Sequence, residues 1–122
     1  MEWTISFLSG QQIVVIQTNG AADETSSLEM TKIISKTMAE YKAMRCLIDH
    51  SAIKSVSGNV VEIYNRPWEL REMDVPSKVK IAEVVLQEHK EHFDYLETVC
   101  RNLGIDFRIF NNQELAFQWL MK

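Results

Sequence analysis

The sequence predicts an α/β fold, a single domain over residues 1–122 built on a mixed five-stranded sheet. A short run of alternating apolar residues at the start, followed after a turn by a second β-rich run, indicates an antiparallel hairpin. Apolar residues at helical spacing then follow short apolar runs in regular succession, which indicates βα units with parallel strands. The length of 122 residues is close to the commonest domain size.

The hairpin comes first. Trp3, Ile5 and Phe7 alternate with polar residues, as in a strand with one buried face. The run 9–11 (SGQ) predicts a turn, and residues 12–18 predict the second strand. Asn19-Gly20 is predicted to break that strand.

The first helix and a buried strand follow. Ser26 with Glu29 forms a candidate capping box, and Asp23 is an equally reasonable N-cap. Apolar residues then recur at helical spacing as far as Tyr41. Residues 45–49 (RCLID) are a short apolar run ending in a carboxylate, which is typical of a buried parallel strand.

The middle of the chain is less regular. Ser57 can start a helix that Pro67 interrupts, because proline lacks an N–H group and clashes with the preceding turn. Tyr64 and Trp68 lie near this break, either as core residues or as a partner-binding surface or lid over an apolar pocket. Residues 78–86 predict the next strand.

The last third predicts a helix, a strand and a helix. The helical period returns at His89 and ends at Gly104, which suits a C-terminal cap with positive φ. Residues 106–110 (DFRIF) alternate as the final strand, and Asn111 with Glu114 at N3 opens the last helix. Because the first and last strands alternate, one sheet face is expected to be less covered by helices and is a candidate dimerisation surface.

Composition excludes several classes of protein. The net charge of −4 and pI of about 5.4 argue against nucleic-acid binding, which needs a basic surface. The longest apolar run, residues 13–16, is far too short to cross a bilayer, and the N-terminus does not resemble a signal peptide. The two cysteines, Cys46 and Cys100, are expected to be reduced and buried. We therefore expect a cytoplasmic protein without cofactor or membrane insertion.

The order of elements and the segment 105–120 resemble the SpoIIAA-like proteins of the STAS/SEC14-like group, and the resemblance covers nearly the whole chain. Two further runs fit, Leu47-Ile48-Asp49 and Lys80-Ile81-Ala82. In the C-terminal segment the matching positions are Arg108, Phe110, Glu114, Ala116, Trp119 and Leu120.

The resemblance implies a small non-catalytic domain. Better-known STAS relatives are antagonists of anti-sigma factors, bind a partner kinase and carry a phosphorylatable serine in an Asp-Ser-Ser-Gly-like loop. The nearest counterpart here is Ser55-Val56-Ser57-Gly58, which makes Ser57 the candidate phosphorylation site. The aspartate of that motif is absent and the spacing from Asp49 is shorter, so no clear phosphoswitch motif is present.

Other candidate residues surround the predicted end of the third strand. Asp49 and His50 could form a polar ligand pocket there with Ser55 and Ser57, since ligands of open α/β sheets bind outside the carboxyl ends of strands. Alternatively, Asp49 caps the following loop and Ser57 is an ordinary N-cap. Glu83 interrupts the fourth strand, and we expect it on the less covered sheet face, solvated or at an interface.

Metal binding has weaker support. His89 and His92 share a helix face and could bind a divalent metal with His50, but the spacing matches no zinc signature, so no metal site is assigned. We therefore expect a regulatory or binding module that acts through protein–protein interaction and is not an enzyme. The alternative is a carrier of a small apolar ligand or lipid, with a pocket under residues 60–76.

Overall fold

The computed structural model describes residues 1–57 and 78–122 and shows an α/β fold. The longest described helix has 18 residues, and no described helix is both long and apolar enough to cross a membrane. The elements are β1 (Glu2–Leu8), β2 (Ile13–Ala22), α1 (Glu24–Tyr41), β3 (Arg45–Val56), β4 (Lys80–Val84), α2 (Lys90–Asn102), β5 (Asp106–Phe110) and α3 (Gln113–Leu120), with a short 3-10 turn (Gln87–His89) before α2.

The five strands form one sheet in the order β1-β2-β3-β4-β5. β1 pairs with β2 antiparallel, and the three other pairs are parallel. The mixed sheet, the N-terminal hairpin and the βα succession that follows are thereby confirmed. Within the described ranges, the helices α1, α2 and α3 all follow strands.

The sheet separates two hydrophobic clusters. The larger one packs α1 and α2 on the sheet face that carries Ile16, Ile48 and Ile81. The smaller one packs Ala116 and Leu120 of α3 on the opposite face, against residues of β2, β3 and β4. Because side chains of a strand alternate between faces, β2, β3, β4 and β5 contribute to both clusters, whereas β1 contributes to the larger one.

The α3 side of the sheet is covered only in part by the described residues. Beside α3, an open groove is lined by residues of β1 and β2, including Ser6, Leu8 and Val15, with Phe117 of α3 at its edge. Leu8 is 38% exposed there. This is the less covered face that the alternating strands predicted, and dimerisation through it stays a prediction.

Two helix N-caps are resolved by the structure. Asp23, not Ser26, caps α1: its Oδ1 accepts a hydrogen bond from the Ser26 backbone N–H at 2.8 Å. Ser26 completes the capping box in place of Glu29. The prediction of Asn111 as the cap of α3 is wrong by one residue, because Asn112 accepts from the Leu115 N–H at 2.9 Å.

The predicted ends of β2 and β3 are wrong. β2 continues through Asn19-Gly20 to Ala22, with Gly20 at φ +87°, and β3 runs on from Asp49 to Val56. The register shifts between Gln17 and Asn19 and again between Gly20 and Ala21. At each shift β3 contains one residue more than β2, which defines a β-bulge. The extra residues interrupt the alternation of buried and exposed positions along β3, so the sequence pattern does not show that the strand continues.

Three basic side chains hold the C-terminal end of α3 to the sheet. Arg45 Nε donates to the Leu120 carbonyl at 2.9 Å, and Lys80 Nζ donates to the Trp119 carbonyl at 3.1 Å. Lys80 also lies 4.7 Å from the centre of the Trp119 ring, and the Arg108 guanidinium lies 5.7 Å from it. Arg45 and Lys80 thereby satisfy two helix-end carbonyls, and the positive charges complement the helix dipole.

Gly104 ends α2 as predicted. Its φ is +81°, and the Gly104 and Ile105 N–H groups donate to the carbonyls of Arg101 and Cys100. These two bonds are those of a Schellman cap.

We expect Gly104→Ala to lower the free energy of unfolding by about 1 kcal/mol, because a left-handed conformation strains any residue with a Cβ atom. Gly10→Ala is the matched control, since Gly10 has no left-handed φ and nothing lies within 4 Å of an added Cβ. Urea unfolding of both variants measures the difference. An equal loss of stability in the two variants would contradict the assigned role of Gly104.

Candidate functional site

The first bulge of β3 sets the geometry of the candidate site. Asp49 Oδ1 accepts a hydrogen bond from the Ser51 backbone N–H at 2.9 Å, within the bulge itself. This bond agrees with the interpretation of Asp49 as a local cap, although the cap lies inside a strand and not in a loop. Asp49 and His50 are consecutive in β3 and therefore point to opposite sheet faces, so they do not form one pocket.

His50 is buried on the face covered by α1 and α2. Its Nδ1 lies 2.7 Å from the Thr18 hydroxyl, and its ring stacks on Phe93 with centroids 5.0 Å apart. The Thr18 hydroxyl also lies 3.2 Å from the Asp49 carbonyl. Thr18 therefore fixes the ring from β2, while Phe93 fixes it from α2.

Glu83 faces His50 from β4. Its Oε2 lies 3.7 Å from His50 Nε2, and the Glu83 side chain is only 6% exposed. The expectation that Glu83 lies solvated or at an interface on the less covered face is wrong. In β4 the residues Ile81 and Glu83 face α1 and α2, whereas Ala82 faces α3, because the strand alternates.

Oε2 of Glu83 has no hydrogen-bond partner among the described residues. The 3.7 Å separation from His50 is longer than a hydrogen bond, which rarely exceeds about 3.2 Å between nitrogen and oxygen. A carboxylate oxygen that lacks a hydrogen bond inside a protein is costly, by about 1–3 kcal/mol or more. This oxygen is thus available to a further donor.

A cavity of about 60 Å³ lies beside this pair, between the sheet and the two helices. Met30 and Ile34 of α1, Ile81 of β4 and Leu96 of α2 form its apolar walls. Among its described lining residues, Glu83 is the only carboxylate and no lysine or arginine occurs. The site therefore combines an apolar interior with one strong hydrogen-bond acceptor.

Ser57 lies at the rim of the cavity. It is exposed, and both its N–H and its hydroxyl donate to the Ala22 carbonyl, at 2.9 and 3.2 Å. The cavity therefore brings together Ser57 and His50, two of the predicted site residues. Ser55 is exposed on β3 and pairs with Ala21, but it is not among the described lining residues.

The remaining predicted residues divide into two groups. Tyr64 and Trp68, and the predicted pocket under residues 60–76, lie outside the described residues. The predicted start of a helix at Ser57-Gly58 also extends beyond the described part of the chain. His92 lines both the cavity and a separate surface groove, and His89 lines only the groove. The described ranges contain no group of three metal-ligating side chains.

Sequence reasoning missed Thr18 and Phe93 and misplaced Glu83. The signal for Glu83 was its position in a short apolar strand flanked by Ala82 and Val84. A strand covered on both faces buries every side chain, so a carboxylate within it is a candidate functional residue. Thr18 continues the inward alternation of Val14 and Ile16, which predicts that its hydroxyl is buried.

Both cysteines are reduced thiols and buried, as predicted. Burial raises the pKa of the Cys46 thiol far above its ordinary value, and the negative charge of Glu83 adds to that effect. Because the thiolate is the reactive form, we expect Cys46 to resist alkylation by iodoacetamide at pH 8 in the folded protein. Both cysteines should react at once in denaturant. If Cys46 in the folded protein were labelled as rapidly as in denaturant, its thiol would be accessible and the prediction would be wrong.

Several solved structures are similar to the chain over nearly its whole length. An anti-sigma factor antagonist from Mycobacterium paratuberculosis matches 99% of this chain and 94% of its own, with a TM-score of 0.66 and 12% identity. SpoIIAA in its unphosphorylated form, an anti-sigma factor antagonist, matches 97% and 96%, with a TM-score of 0.57 and 13% identity. An uncharacterised protein with a SpoIIAA-like fold from Shewanella loihica matches 98% and 92%, with a TM-score of 0.55 and 14% identity.

No protein-family model and no curated protein matches the sequence. The structural likeness spans both ends of the chain in each of these comparisons, so it covers the hairpin, the βα units and the last helix together. The identities are low, and the likeness therefore describes the fold and not the activity. The chain has the SpoIIAA-like fold of the STAS domains.

Proposed function

We propose that the chain is a non-enzymatic regulatory module of the cytoplasm that acts as one domain by binding a protein partner. The observation that carries the proposal is the match of 97–99% of the chain to anti-sigma factor antagonists. Such a match leaves little of the 122 residues for an added catalytic segment. Partner binding by this chain is the function that this fold most directly supports.

The proposed contact surface is the C-terminal end of β3. Ser55 and Ser57 are exposed there, next to the start of α1 at Asp23. The predicted surface residues Tyr64 and Trp68 follow in the sequence, and we include them in the proposed surface. A surface at this end of the sheet agrees with the rule that open α/β sheets bind ligands beyond the carboxyl ends of their strands.

Phosphorylation of Ser57 is a proposed means of regulation. Its hydroxyl donates to the Ala22 carbonyl, and a phosphoester oxygen could not donate that bond. The phosphate would also lie near Asp23, which directly follows Ala22 and whose pKa is lowered by its hydrogen bonds to Ser26, so that it stays ionised. Repulsion between these charges would alter the contact between β3 and α1.

Site-specific photo-crosslinking tests the proposed partner surface. A photoreactive side chain at position 57 should form one dominant crosslinked adduct in the source cells. The same group in place of Glu40, which is exposed at the other end of α1, is the matched control and should not give that adduct. Equal adducts from both positions, or none from position 57, would contradict the proposed surface.

A carrier of a small apolar ligand is the second candidate function. The apolar walls of the cavity between the sheet and the helices support it. The pocket under residues 60–76 stays a prediction. Solvent extraction and mass spectrometry of the purified protein would identify a carried molecule at a stoichiometry near one per chain. Extracts identical to those of an unrelated control protein would count against this function.

A further inference from the structure

The geometry points to a binding site for a small primary ammonium ion in the cavity, with the ammonium group against Glu83. Binding there does not require a protein partner. Glu83 is more than nine-tenths buried, and its Oε2 lacks a hydrogen-bond partner among the described residues. Glu83 is one of the side chains that line the cavity, which places its carboxylate at the cavity wall.

Two of the hydroxyl groups that line the cavity, those of Thr31 and Ser57, donate elsewhere. Thr31 Oγ1 donates to the Ser27 carbonyl at 2.8 Å, and Ser57 Oγ donates to the Ala22 carbonyl at 3.2 Å. Each hydroxyl has one proton, so neither is left to donate to Glu83, while both oxygens retain lone pairs. Thr31 and Ser57 therefore offer the cavity acceptors and no donor.

His50 is the polar ring that faces Glu83. Its Nδ1 lies 2.7 Å from the Thr18 hydroxyl, and its Nε2 lies 3.7 Å from Glu83 Oε2. The second distance is longer than an ordinary hydrogen bond. The Glu83 oxygen therefore keeps its capacity to accept a hydrogen bond from a molecule in the cavity.

These features select the chemistry of the ligand. An ammonium group has three N–H donors and no acceptor, which complements a carboxylate and the two hydroxyl oxygens. The walls formed by Met30, Ile34 and Leu96 favour a short alkyl chain. The cavity of about 60 Å³ is smaller than the engineered cavity of about 150 Å³ that accepts benzene, which limits the chain to a few carbons.

Titration of the full chain with n-propylammonium tests the site, with the methyl groups of Met30, Ile34 and Ile81 observed by NMR. We expect saturable shifts of these methyl signals. Propanol should bind about tenfold more weakly because it lacks the charge, and propionate should not bind because its charge repels Glu83. Tetramethylammonium has the charge but no N–H donor and should cause no saturable shift.

A substitution assigns the binding to Glu83. We expect Glu83→Gln, which keeps the shape of the side chain, to weaken n-propylammonium binding at least about tenfold. Glu88→Gln is the matched control, because the Glu88 side chain is 68% exposed, and its affinity should equal that of the parent protein. If Glu83→Gln does not fold, the four-ligand comparison on the parent protein still decides. Absence of saturable shifts, equal shifts with tetramethylammonium or propionate, or unchanged affinity in folded Glu83→Gln would each overturn the proposal.

Discussion

Replacing Leu120 with alanine is expected to lower the free energy of unfolding by about 3 kcal/mol, within the range of roughly 2–5 kcal/mol for fully buried leucines. Leu120 has no exposed surface and lies in the cluster that α3 forms with Ile13, Leu47 and Ala82. Alanine would remove side-chain contacts and leave a cavity that the surrounding sheet can close only in part. The Leu120 carbonyl, which accepts from Arg45, is a backbone group and remains in place.

Leu115→Ala is the matched control for this prediction. It is the same chemical change in the same helix, but Leu115 is 48% exposed, so its loss should cost well under 1 kcal/mol. Urea unfolding followed by circular dichroism measures both values. A loss for Leu115→Ala as large as that for Leu120→Ala would show that α3 does not pack through the face that carries Leu120.

The element order could be predicted because it depends on local periodicity. Trp3, Ile5 and Phe7 alternate over a regular strand, and that strand was located to within a residue at each end. The ends of β2 and β3 could not be predicted in the same way. Their two bulges place extra residues in β3, and a bulge depends on pairing with a distant strand, which local periodicity does not contain.

The C-terminal positions that carry the resemblance have structural roles. Arg108 and Lys80 approach the Trp119 ring, Phe110 packs near the same ring with centroids 5.8 Å apart, and Ala116 and Leu120 are buried. Asn112 was missed as the cap because Asn111 has the same capping chemistry. These residues could therefore support a prediction of the fold, but they carry no information about a ligand or partner.

The composition of the candidate site depends on the pairing register between β3 and β4, which are distant in sequence. The pairing of Ile48 with Glu83 and of Asp49 with Val84 places His50 close to the carboxylate, although the two residues lie 33 positions apart in sequence (83 − 50). Without that register, Glu83 could be assigned to either sheet face. The sequence thus identified His50 and Ser57 as candidates, but it could not show that Glu83 is the group beside them.

The largest expected effect is that of His50→Leu, which should lower the free energy of unfolding by about 3–5 kcal/mol. The substitution removes the polar ring that faces Glu83 and leaves a buried carboxylate against leucine and Phe93. Removing the polar partner of a buried carboxylate is costly because the charge of the carboxylate is then left uncompensated. Glu83→Leu should cost less, since a neutral imidazole can remain bonded to Thr18.

The double variant His50→Leu/Glu83→Leu separates the cost of an unpaired charge from the cost of lost packing. Because it buries no charge, we expect it to be more stable than His50→Leu alone, and the cycle to give a coupling energy of about 2 kcal/mol. The exposed pair Lys90–Asp94 is the control. Its charged atoms are closer, at 2.6 Å, but both side chains are about half exposed. A double-mutant cycle with alanine at these two positions should therefore give a coupling energy well under 1 kcal/mol. If the double variant were as unstable as His50→Leu, the lost stability would come from packing against Phe93. It would then not come from an uncompensated charge on Glu83.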